Sequence, residues 1–214
     1  PQEGRHRDLS VLPFGEVAPA ALLGLLLRLA TGSAGGGLDA IGAALQATLH
    51  DAGWAVTPWT LREEKSAYCL GCFECWTKTP GLCRIDDAGR DVAASVIGSD
   101  LAIYLTPVTF GGYSSQLKKA VDRIICLISP FFTRINGEVH HHARYAHYPD
   151  LLGIGVLPAP HLAQEQIFHT LVGRNAINLH APAHRSAIVY GDQDPTDAVI
   201  ALRSALHLTE RAPA

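Results

Sequence analysis

The chain has 214 residues, of which 48% are hydrophobic and 17% charged, with a formal net charge of −3. That balance suits one α/β domain with a sizeable core, excludes a disordered chain, and gives no general electrostatic drive toward nucleic acid. Five cysteines are too few for a disulfide scaffold and odd in number, so a reducing, cytoplasmic setting is expected.

Residues 1–20 read as an N-terminal extension of a single domain spanning 1–214. Arg5, His6 and Arg7 before the apolar run Ala20–Leu27 copy the outline of a secretory signal, but Glu16 and Arg28 flank the run and it is too short to span a bilayer. No membrane association is expected. Leu22–Ala30 reads as the first strand and Thr31–Gly37 as a glycine-rich loop. The alternative takes Leu9–Phe14 as the strand and Pro19–Leu29 as a helix. A helix follows with Leu38, Ile41, Leu45 and Leu49 on one face, stopped by Gly53. Ala55–Leu61 reads as a strand that Pro58 places near a sheet edge, and Leu101–Leu105, without charge, as a central one.

Ser114 or Ser115 can cap a helix carrying Leu117, Val121, Ile124, Ile125 and Ile128. Leu151–Leu157 and Ala187–Tyr190 supply two more strands. Leu162–Ile177 and Pro195–Leu206 supply helices, the latter capped by Asp194. The alternation predicts a flavodoxin-like three-layer sandwich: a five-stranded parallel sheet with helices on both faces.

Three segments carry chemistry. The turn with Gly32, Ser33, Gly35 and Gly36 opens a helix, whose free N–H groups and dipole favour a phosphate. The loop Thr106–Gly112 leaves the carboxyl end of a central strand, where ligands bind in open α/β sheets, and Phe110 or Tyr113 could cover a planar ring. Cys69, Cys72, Cys75 and Cys83 form C-x2-C-x2-C plus one, curled by Gly71 and Gly81. Such thiols suit an iron–sulfur cluster better than structural zinc, and a metal-free loop stands level with the cluster. His140, His141 and His142 are expected in a solvated or interfacial loop, and Lys118, Lys119 and Arg123 on a solvated helix face with Asp122–Arg123 pairing.

The stretch from Cys69 to Arg123 resembles the NAD(P)H-dependent FMN reductase and iron–sulfur flavoprotein branch of the flavodoxin superfamily. The shared residues are Cys69-Leu70-Gly71-Cys72-Phe73-Glu74-Cys75-Trp76, Pro80-Gly81-Leu82-Cys83-Arg84-Ile85-Asp86-Asp87, Thr106-Pro107-Val108-Thr109-Phe110, and Ser115-Gln116-Leu117-Lys118 through Asp122-Arg123. The resemblance implies FMN as cofactor and NAD(P)H as electron donor. Gly32, Ser33, Gly35 and Gly36 would lie at the phosphate, Pro107, Val108, Thr109, Phe110 and Gly111 at the isoalloxazine, and Val156 and Leu157 at a third wall. Here Ala34-Gly35 stands where Pro-Arg is usual, and Thr109 where tyrosine is usual. A [4Fe-4S] cluster on the four cysteines is the added implication, although members without a cluster keep these cysteines too. The expected activity is electron transfer from NAD(P)H through FMN to a small-molecule or protein acceptor, by a homodimer or higher homo-oligomer; the alternatives are an electron carrier with FMN and a [4Fe-4S] cluster, or a non-catalytic flavodoxin-like module that has lost flavin. The hydride chemistry belongs to the flavin, and no protein acid, base or nucleophile is assigned.

Overall fold

Leu101, Ile103 and Leu105 turn to one side of a strand and Ala102 and Tyr104 to the other, and all five are buried. Burial on both faces is what the centre of a parallel sheet requires, and it sets the architecture. The computed structural model describes residues 23–28, 35–191 and 193–199, with backbone alone for 23–28, 35 and 36. In chain order the elements are β1 (Leu23–Arg28), α1 (Gly35–Asp51), β2 (Ala55–Thr60), α2 (Glu74–Thr77), α3 (Ala88–Ile97), β3 (Leu101–Pro107) and α4 (Ser115–Arg123). A 3₁₀ turn at Ile124–Leu127 leads into β4 (Ile128–Ile135), followed by β5 (Glu138–Ala143), β6 (Asp150–Leu157), α5 (Leu162–Asn178) and β7 (His184–Tyr190).

The main sheet runs β2-β1-β3-β6-β7, every pairing parallel. β2, carrying Pro58, is at an edge, where the missing N–H costs least. On one face α1 buries Leu38, Ile41, Leu45 and Leu49 against sheet residues such as Ile103, Leu152 and Ile154, and Ala198 and Val199 join them. On the other face Val92 and Val96 of α3, Leu117 of α4, and Phe168 and Val172 of α5 pack on Ala102, Tyr104 and Leu151. Gly53, at φ 86, ends the α1 segment. Gly153 lets α5 lie against the sheet, since a Cβ there would meet Val172 Cγ2 at 2.4 Å.

Four expectations are corrected. α4 stops at Arg123, so Ile124 and Ile125 lie in the 3₁₀ turn and Ile128 begins a strand. β4 and β5 form a separate antiparallel hairpin, turned by Asn136 (φ 52) and Gly137 (φ 86). His140, His141 and His142 are therefore strand residues rather than a loop, and His140 is buried. Arg123 leaves the solvated face expected for it: its side chain is buried and pairs with Asp87, while Asp122 pairs with Lys118. The strand Leu9–Phe14, the proposed extension 1–20, Gly32, Ser33 and the remainder of the Pro195–Leu206 helix beyond Val199 lie outside the described residues.

Candidate functional site

The strand order reverses between β1 and β3: from β1 the chain crosses to β2 on one side and then to β3 on the other. A crevice opens at such a switch point beyond the carboxyl ends of the strands. α1 begins on this edge, with Gly37 near the Gly191 carbonyl at the end of β7. The first-turn N–H groups of a helix have no partner within the helix, so this end of α1 is the kind of place that takes an anion.

The loop after β3 is built as a tight turn. Thr109 N donates to Gly112 O at 3.0 Å and Gly112 N to Thr109 O at 2.8 Å. The two residues between them, Phe110 (φ 52) and Gly111 (φ 81), are both left-handed, as in a type I′ turn. A bulky residue in that region is strained, and such strain gathers at functional turns. Phe110 is 91% exposed, so its ring is displayed rather than packed. Gly111 has no room for a side chain, because a Cβ would stand 2.6 Å from Ile167 Cβ, and its N–H donates to Gln164 Oε1 at 3.3 Å. Val108 N donates to Val156 O at 2.9 Å, tying the loop to β6, and Thr106 Oγ1 accepts from Ser114 N at 3.1 Å. Ser114 then caps α4 by accepting from Leu117 N.

Pro107, Val108, Thr109, Phe110, Gly111, Val156 and Leu157 therefore gather at one edge of the sheet, together with Gly35 and Gly36 at the start of α1. Leu157 is buried and its carbonyl accepts from Gly191 N. Tyr113 does not cover a ligand face. It is buried against Tyr104 and Phe168, accepts from Asn175 Nδ2 at 3.1 Å, and burial pushes its phenol up to about 12 despite that bond.

The cysteine segment lies at the other end of α4. Gly71 (φ 63), Phe73 (φ 53) and Gly81 (φ 87) curl it, and all four cysteines line one small cavity with Arg84, Ile85 and Arg123. Cys69 and Cys72 are exposed, Cys83 is half-buried and Cys75 is buried. Burial pushes the Cys75 thiol up, and the neighbouring Cys83, Cys69 and Cys72 add to it, so the thiol form is favoured. Among the described residues no group of three or more His, Cys, Asp or Glu side chains is placed to hold a metal ion. Cys69, Cys72, Cys75 and Cys83, read from the sequence as an iron–sulfur site or a metal-free loop on level terms, thus share a cavity without a preformed ion site among the described residues.

Arg123 closes this cavity. Its Nη2 donates to Asp87 Oδ1 at 2.7 Å and to Ile85 O at 3.2 Å, and its Nη1 to Asp87 Oδ2 at 3.1 Å and Ala67 O at 3.0 Å. Asp87 also caps α3, accepting from Gly89 N. Trp76 Nε1 donates to Ile125 O and Ile128 O, joining the segment to the hairpin. The structural roles of Asp87, Arg123 and Trp76 were missed in the sequence, although all three stand inside the motifs that carry the resemblance.

The sequence profile of the NADPH-dependent FMN reductase family matches residues 30–152, more than half of the chain. The chain belongs to that family. It is thus an NAD(P)H-dependent oxidoreductase by family. The fold agrees with solved structures of low identity. An NAD(P)H:quinone oxidoreductase from Methanothermobacter marburgensis is 13% identical, with a TM-score of 0.66 over 91% of this chain and 100% of that one. A putative quinone reductase from Klebsiella pneumoniae is 12% identical, with a TM-score of 0.61 over 90% and 86%. An FMN-dependent NADH-azoreductase from Bacillus anthracis, solved in complex with FMN, is 10% identical, with a TM-score of 0.58 over 89% and 100%. No curated protein matches the chain. No described helix is long and apolar enough to cross a membrane.

Proposed function

We propose that this member of the family binds FMN in the crevice between the start of α1 and the Thr109–Gly112 turn, takes reducing equivalents from NAD(P)H and passes them to a small-molecule acceptor of the quinone or azo class. The observation that carries the reading is the pairing, at one switch point, of a helix N-terminus with a turn that displays Phe110. When bound, FMN supplies the hydride and electron chemistry. The chain's part is to bind and orient: first-turn N–H groups of α1 for the phosphate, and the Val108–Gly111 backbone, pinned by Val156 and Gln164, for the ring. Titration of FMN with fluorescence detection, followed by NADPH oxidation with menadione, tests it. Saturable quenching and acceptor-dependent turnover are expected; no quenching at about 1 mM FMN, the weakest end of specific affinity, overturns it.

A [4Fe-4S] cluster on Cys69, Cys72, Cys75 and Cys83 is a second reading, supported by their shared cavity and by thiol donors suited to iron. Loading would have to draw the thiols inward, given the absence of a preformed ion site among the described residues. Anaerobic reconstitution with iron and sulfide analysis decides it. A homodimer is also proposed, supported by exposed Phe131, Phe132 and Val139 on the hairpin; sedimentation equilibrium showing a monomer at working concentration removes it.

A further inference from the structure

The face of the sheet that carries α4 and α5 holds a half-open pocket that the flavin reading does not use. A cavity of about 270 Å³ lies between the last turns of these helices. Tyr104, Val121 and Leu179 give it an apolar floor; Asn175, Asn178 and His141 give it a polar wall, and Asp122, paired with Lys118, stands at its lining too. The pocket is half open to solvent, and an apolar cavity of about 150 Å³ already admits benzene. This one has room for a bicyclic ring system. It is separate from the flavin crevice: α4 starts at the β3 turn and runs away from it, so its last turn lies roughly 13 Å further along.

His141 gives the cavity a chemical preference. Its ring is held between Phe132 (centroids 4.9 Å, stacked) and Trp76 (4.7 Å, tilted), and its carbonyl accepts from His180 Nε2. Nδ1 is buried and has no hydrogen-bond partner. A proton there would be a buried unpaired donor, which favours Nε2 as the ring's N–H. Asn175 Nδ2 donates to the Tyr113 hydroxyl and Asn178 Oδ1 bonds His140 Nδ1, which orients both amides in the wall.

We propose that this cavity is a second binding site, for a small planar bicyclic aromatic bearing a carbonyl, seated on Tyr104, Val121 and Leu179 with its oxygen accepting from His141 Nε2–H. The probes are 1-tetralone and its hydrocarbon analogue tetralin, titrated into FMN-saturated and FMN-free protein with ligand-observed NMR. 1-Tetralone should bind about threefold to tenfold more tightly than tetralin, the value of one neutral hydrogen bond, in both forms. His141→Phe keeps the ring stack and should erase that preference while both probes still bind. Val121→Phe fills the void and should abolish both, with a melting curve confirming that it is folded. Absence of binding to the parent protein, binding unchanged in Val121→Phe, or a preference that survives His141→Phe each overturns the proposal. Protein that shows the preference but never binds FMN leaves this site standing and removes the flavin reading.

Discussion

Replacing Asp87 by alanine should destabilise the chain far more than loss of a partly exposed carboxylate ordinarily would. The carboxylate accepts from Arg123 Nη2 and Nη1 at 2.7 and 3.1 Å, from Ala67 N at 2.7 Å and, as the cap of α3, from Gly89 N at 3.0 Å. The Arg123 side chain is 1% exposed, so Asp87→Ala strands a buried guanidinium. Removing one partner of a buried pair costs about 3–5 kcal/mol, and a lost N-cap about 1 kcal/mol. One carboxylate does both jobs and the two losses are not additive, so about 4 kcal/mol is expected. Adding Arg123→Met removes the stranded charge and should restore about 2 kcal/mol of that loss. Urea unfolding followed by circular dichroism on the parent, both single variants and the double variant measures each value. A loss below about 1 kcal/mol in Asp87→Ala, or a double variant no more stable than Asp87→Ala, refutes the reasoning. The pH arm follows from the same contacts. Burial alone would raise the Asp87 carboxyl, but the hydrogen bonds from Arg123, Ala67 and Gly89 outweigh it and hold the group below its usual range. A depressed folded value means the contribution is complete above the unfolded value of about 3.9 and is lost as pH falls through the folded one. The parent should lose stability below about pH 4, and Asp87→Asn should flatten that part of the profile.

Gly155→Ala should weaken FMN binding about tenfold as well as stability, because its Cβ would meet Val108 Cγ2 at 2.6 Å and Ile188 Cδ1 at 2.8 Å and push on the turn; parallel FMN titration and thermal melts check both effects. Thr109→Tyr, which restores the ring usual at that position, should tighten FMN about threefold to tenfold in the same titration. Trp76→Phe should cost about 2 kcal/mol in urea unfolding, since the carbonyls of Ile125 and Ile128 lose their donor. At pH 8 a thiol reagent such as DTNB should modify exposed Cys69 and Cys72 first, whereas Cys126, buried and pushed up to about 12 with Cys75 and Cys83 adding to the burial, should react only on unfolding.

The parts legible in the sequence were those governed by local periodicity. The apolar run Leu101–Leu105 could only be a strand covered on both faces, and Leu38, Ile41, Leu45 and Leu49 fell on one helical face because their spacing has no other solution. The loop after β3 was legible as a place, through Pro107 and two glycines, but not the left-handed conformation of Phe110, nor the contacts of its neighbour Gly111 with Gln164 and Ile167 of α5. The hairpin was missed although Asn136-Gly137 is a strong turn signal between two strands; the helix was extended through Ile128 and three adjacent histidines read as a loop. Arg123 was misplaced for a different reason. Charged helical residues are usually solvated, and nothing local announces a partner 36 positions away.

That long-range pair bears on the open question of the cysteines. A segment folded around a metal would depend on the ion for its shape, as structural metal sites do. Here four hydrogen bonds from Arg123, to Asp87, Ala67 and Ile85, hold the two ends of the segment together, and Trp76 fastens its short helix to Ile125 and Ile128. The cavity lined by the four thiols is thus framed by an ion pair and an indole. The same arrangement makes Arg123→Met the informative perturbation: if the segment loosens in metal-free protein, the guanidinium holds it, and iron would be an addition to a site already shaped.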